Sequence, residues 1–98
     1  MGLTEENALV LDLVQAMQGA ITPNFRRVTL ELTSPGAVCL RFLLERDDAD
    51  DREEVDDIVF EFEALQTQNI QVDVKVIVNA RPLHALNLPG RGVFGRKE

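Results

Sequence analysis

Residues 26–44 read RRVTLELTSPGAVCLRFLL. In the first half Val28, Leu30 and Leu32 alternate with Arg27, Thr29 and Glu31. In the second half Val38, Leu40, Phe42 and Leu44 resume the same period of two. That period places successive side chains on opposite faces, as in a half-buried strand. Between the halves lies Thr33-Ser34-Pro35-Gly36. Pro35 presets one turn dihedral and Gly36 accepts a positive one. The stretch therefore predicts a hairpin over 26–44, Arg26–Leu32 with Ala37–Leu44. Cys39 alternates with the core residues of its strand, so it is expected on the other face of the sheet, partly exposed.

Upstream, Val10, Leu13, Val14, Met17 and Ile21 recur at helical spacing, with Leu9 and Ala20 on the flank. They predict a helix over about 4–20. Thr4 serves as its N-cap, Glu5 and Glu6 suit its dipole, and Pro23 ends it. Downstream, Val55, Ile58, Val59, Phe62 and Leu65 form the apolar stripe of a second helix, about 50–66. Val72, Val74, Val76 and Val78 then alternate with Gln71, Asp73, Lys75 and Ile77 in a strand over about 70–78. Residues 79–98 are rich in Pro and Gly and read as an irregular tail, with Gly92–Arg96 able to add a short edge strand. The order α-β-β-α-β(-β) predicts an α+β fold in a single domain, 1–98. Its architecture is a two-layer α/β sandwich: one mainly antiparallel sheet covered on one face by two helices. A connection through the second helix is right-handed if it joins parallel strands.

The chain has 98 residues and a net charge of −7. A chain of this size buries roughly 60–70% of its unfolded surface, enough for one modest core. Its longest apolar run, near Leu9–Val14, is broken by Asp12 and is far too short to span a bilayer. The opening Met-Gly-Leu-Thr-Glu-Glu lacks the basic and apolar segments of an export signal, and the single cysteine cannot form an internal disulfide. Both features predict a reducing cytoplasm. The acidic balance argues against nucleic acid or an anionic membrane as direct partner.

Charge is concentrated in one place. Glu45–Glu63 holds eleven carboxylates against Arg46 and Arg52, a local net charge of −9. Such a run is commonly a solvated helix face. Here, however, Glu53, Asp57 and Glu61 stack as like charges four residues apart, where Glu–Lys pairs would stabilise a helix by about 0.2–0.5 kcal/mol each. Glu61 and Glu63 also oppose the dipole at the C-terminal end. Self-repulsion without local benefit suggests an external cation. Phe60 falls opposite the apolar stripe, among Glu53, Asp56, Asp57 and Glu63. It reads either as an apolar anchor inside a charged rim or as a ring covered by the tail. The basic tail residues Arg81, Arg91, Arg96 and Lys97 either clamp back on this helix or meet a partner.

Several patterns that resemble chemical sites fail on context. Gly90-Arg91-Gly92-Val93-Phe94-Gly95 matches G-x-G-x-x-G, but Pro89 precedes it and no room for a helix follows. A calcium loop begun at Asp48 would place Arg52, Glu53 and Val59 where ligands or glycine are required. His84 is the single histidine and lies in the tail. Ser34, the single serine, is explained by its turn. No catalytic residue, cofactor site or metal site is expected.

Gln18-Gly-Ala-Ile-Thr-Pro-Asn-Phe-Arg-Arg-Val28, following an amphipathic helix, resembles the "GAISPNLRAV"-like segment of small bacterial proteins. Those proteins continue with a hairpin, an acidic helix, a valine-rich strand and an "RRKE"-like close, here Gly95-Arg96-Lys97-Glu98. The chain thus resembles immunity proteins of polymorphic or contact-dependent growth inhibition toxin systems. It departs from them in lacking Trp and Tyr before the basic end, where Val93 and Phe94 stand instead. The resemblance implies a cytoplasmic, non-enzymatic protein that neutralises a toxin's nuclease domain; with the acidic block, the expected target is a basic, RNA-cleaving domain. Charge and periodicity nominate Glu53, Asp56, Asp57, Phe60 and Glu61 as the partner-binding residues. The alternative is a non-catalytic adaptor or structural module that homodimerises through a sheet edge or the Phe60 face.

Overall fold

A computed structural model describes residues 2–98; Met1, the first residue of the stretch read for an export signal, lies outside them. The elements run α1 (Gly2–Met17), β1 (Phe25–Ser34), β2 (Ala37–Leu44), α2 (Ala49–Ala64), β3 (Gln71–Val78), a single 3-10 turn (Leu83–Ala85) and β4 (Arg91–Gly95). The four strands form one sheet in the order β3-β2-β1-β4. β1 pairs antiparallel with both β2 and β4, while β2 and β3 are parallel. The fold is α+β, and the expected order of elements holds.

The hairpin keeps the register that its alternation dictates: Val28 faces Phe42, Leu30 faces Leu40 and Leu32 faces Val38. Gly36 takes the positive φ, +75°, that the turn requires. These strand residues meet Leu9, Leu13, Ala16 and Met17 of α1 and Val55, Ile58 and Phe62 of α2 in one core. Phe25 joins it edge-on to Phe42, ring centroids 6.5 Å apart. Fully burying side chains of this size stabilises by about 1.5–3 kcal/mol each.

Four expectations need correction. Thr4 is not an N-cap, because α1 begins at Gly2; its first turn is instead tied down by the Gly36 N–H, which donates to Glu5 at 3.1 Å. α1 stops at Met17, not near residue 20, because Gly19 turns the chain with φ +80° before Pro23 is reached. Its core stripe is rotated: Ala16 is buried and Val14 is exposed. Finally, Cys39 is 3% exposed and so is buried, not partly exposed, on the outer face of the sheet.

The segment between β3 and β4 leaves one edge of the sheet and re-enters at the other. It crosses the face opposite the helices. There Arg41, an outer-face residue, donates to the Pro89 carbonyl, and Thr29, Cys39 and Leu43 are buried. Gly90 ends the crossing with φ +100°, and a Cβ there would lie 2.7 Å from the Leu30 carbonyl oxygen. The glycines that mimic a nucleotide fingerprint thus belong to a close approach and an edge strand.

Candidate functional site

α2 is fixed at its N-terminus by its own acids. Asp48 is the N-cap, and its carboxylate accepts the Asp51 N–H at 3.1 Å. Asp51 is itself buried and accepts from Thr22 Oγ1 and from Asn24 Nδ2, both at 2.9 Å. Asn24 Nδ2 also donates to the Arg46 carbonyl at 2.8 Å, and Asn24 Oδ1 accepts the Arg46 N–H at 3.0 Å. So Thr22 and Asn24, in the loop before β1, hold the link between β2 and α2. Nearby, Asp47 takes Arg52 and Glu45 takes Arg96 in ion pairs of 2.6 and 2.8 Å.

Part of the acidic block is therefore structural, and the remainder is not. Glu53, Asp56, Asp57 and Glu61 are all exposed, and among the described residues none of them is in a salt bridge. Phe60 is 70% exposed. With Val55, Ile58 and Phe62 turned to the core, a rotation of 100° per residue sets Phe60 on the opposite ridge. Asp56 and Asp57 lie one turn before it and Glu53 two turns before it. The structure thus brings all five nominated residues to the outer face of α2.

The tail covers neither Phe60 nor the carboxylates around it. Two of its cations go elsewhere: Arg91 reaches Glu6 and Asn7 on α1, and Arg96 reaches Glu45, Glu98 and the Pro23 carbonyl. Of the two readings of the basic tail, the clamp on the acidic helix is not formed among the described residues; the tail is instead held by a lock around Arg26. Arg26 sits where the β1–β2 register slips between Phe25 and Arg27. The slip frees its side chain from the alternation, and only 3% of it is exposed. Its guanidinium donates two bonds to the Glu98 carboxylate, at 2.8 and 2.6 Å, and two to the carbonyls of Asn79 and Arg81. These bonds hold the Glu98 carboxyl far below its ordinary value, at about 2, with the Arg26 and Arg96 charges assisting. The same bonds raise the Arg26 guanidinium above its ordinary value, against the opposing effect of burial.

The other chemistry-bearing side chains do not gather. Cys39 is buried in β2 whereas His84 is exposed in the 3-10 turn. Among the described residues no three His, Cys, Asp or Glu side chains are placed to hold a metal ion. A cleft of about 380 Å³ between α1 and the α2–β3 loop is lined by Glu5, Ala8, Asp12 and neutral loop residues. Among the described residues no helix is long and apolar enough to cross a membrane.

What the arrangement offers is an exposed aromatic ring on an anionic helix face, its four nominated carboxylates in no salt bridge among the described residues. No curated protein matches the chain at significance. A family model described as MafI2 immunity protein matches residues 6–98, from the first turns of α1 through Glu98. The chain therefore belongs to the MafI2 immunity protein family, the immunity side of a polymorphic toxin system, whose partner is a cognate toxin.

Proposed function

We propose that this immunity protein neutralises its toxin by laying the outer face of α2 into the cationic cleft of a basic, RNA-cleaving nuclease domain, in the cytoplasm. Glu53, Asp56, Asp57 and Glu61 occupy positions that the substrate phosphates would take, and Phe60 supplies the desolvated anchor. No bond is made or broken; inhibition is steric and electrostatic. One observation carries this reading. Phe60 stands 70% exposed amid carboxylates that no cation of the described residues neutralises. A large aromatic at the centre of a polar rim is the usual make-up of a binding hot spot. Complementary charge also speeds encounter and makes it sensitive to salt.

The test is the double charge reversal Asp56→Lys with Asp57→Lys, titrated against the cognate toxin domain by calorimetry. Both side chains are exposed, so the variant is expected to keep the fold and to lose affinity at least a hundredfold, about 2.7 kcal/mol. A folded variant that binds as tightly as the parent removes this face from the mechanism.

A further inference from the structure

The two edges of the sheet are built differently. β4 is five residues long, contains Gly92 and Gly95, and its register with β1 is broken between Val28 and Thr29. Short length and bulges are the usual protection of a free edge. β3 has eight residues, an unbroken register with β2 and no proline. Its backbone phase is fixed: the Gln71 N–H donates to the Gly36 carbonyl and the Asn79 N–H to the Leu44 carbonyl. Alternation then turns the N–H and C=O groups of Val72, Val74, Val76 and Val78 away from the sheet. On the same edge Val74 and Val78 are exposed. Asp73 and Lys75, on the outer face, are also exposed and are in no salt bridge among the described residues.

We propose that two copies of this chain join through β3, antiparallel about a two-fold axis at Val74, into one continuous sheet of eight strands. In that register Val74 faces Val74 of the second copy and Val72 faces Val76. Both are hydrogen-bonded pairs, in agreement with the outward phase of the valines. Asp73 then falls opposite Lys75, and Lys75 opposite Asp73, so two ion pairs form on the outer face. Shifting by one step in either direction that keeps the phase sets Lys75 against Lys75 or Asp73 against Asp73, which is destabilising. A lone lysine on an edge strand repels added strands; here the aspartate two residues away converts it into a register mark for a second copy. The axis leaves the outer face of α2 pointing away from the sheet. The dimer therefore stands independently of the toxin-binding reading.

Sedimentation from micromolar to millimolar protein tests the proposal. It is run at about 0.15 M salt, where a Debye length of about 8 Å screens the net charge. The mass of the parent is expected to rise from 11.0 kDa to twice that. Asp73→Lys and Lys75→Asp are each expected to stay at the single mass. Their equimolar mixture regains the double mass, as does the variant carrying both changes, because each restores opposite charges across the axis. A parent that holds the single mass throughout overturns the proposal. So does an Asp73→Lys variant that dimerises as readily as the parent, or a mixture of the single variants that remains monomeric.

Discussion

Asn24 is a neutral side chain whose bonds reach across the fold. It ties the Arg46 backbone in both directions and donates to the buried Asp51 carboxylate. Asn24→Ala removes both ties to the Arg46 backbone and leaves one oxygen of the buried Asp51 carboxylate without its donor. Each orphaned buried group costs about 1–3 kcal/mol, so urea denaturation is expected to show a clear fall in midpoint with an unchanged slope. The partners lie 22 and 27 residues away, which is why no local pattern around Thr22-Pro23-Asn24 announced them. Arg26 was hidden in the same way, since its acceptors are Asn79, Arg81 and Glu98. This lock has a pH signature. Glu98 titrates at about 2 instead of the ordinary 4.5. A depressed carboxyl stabilises the fold above its ordinary value and loses that contribution as pH falls toward the folded one. Thermal melts of the parent and of Glu98→Gln are therefore expected to differ most near neutral pH. The gap should close between about pH 4.5 and pH 2.

Among the elements, α2 was the most legible. Its apolar stripe and its charges obey one period, and Val55, Ile58 and Phe62 are buried while Phe60 is not. Asp51 was the exception: it lies on the buried side, where a carboxylate is retained because Thr22 and Asn24 satisfy it. α1 was read one notch out of phase, since Ala16 is a weak apolar signal and Val14 a strong one, yet the first is buried and the second exposed. At the scale of this element, Phe60 separates folding from binding. Phe60→Ala removes a ring that touches solvent, so chemical denaturation is expected to show a change within about 0.5 kcal/mol. In calorimetry against the toxin the same variant is expected to lose about 2 kcal/mol or more, the mark of a hot spot.

Across the whole molecule, the hairpin and the valine-rich strand were evident from their alternation, but the strand order β3-β2-β1-β4 was not. The second layer on the outer face was not evident. Residues 79–90 have no periodicity, and their path is set by two distant anchors, Arg26 and Arg41, together with the open backbone turn at Gly90. Cys39, on the same face, is buried instead of partly exposed. The molecule keeps two contrasted open surfaces, the acidic face of α2 and the unguarded edge at β3. The measurement that bears most directly on the central claim is a titration of isotope-labelled protein with its cognate toxin domain, followed by amide and side-chain chemical shifts. The account predicts that the large shifts gather on Glu53, Asp56, Asp57, Phe60 and Glu61. Shifts confined to α1 around the exposed Leu11, or to β3, with α2 silent, would contradict it.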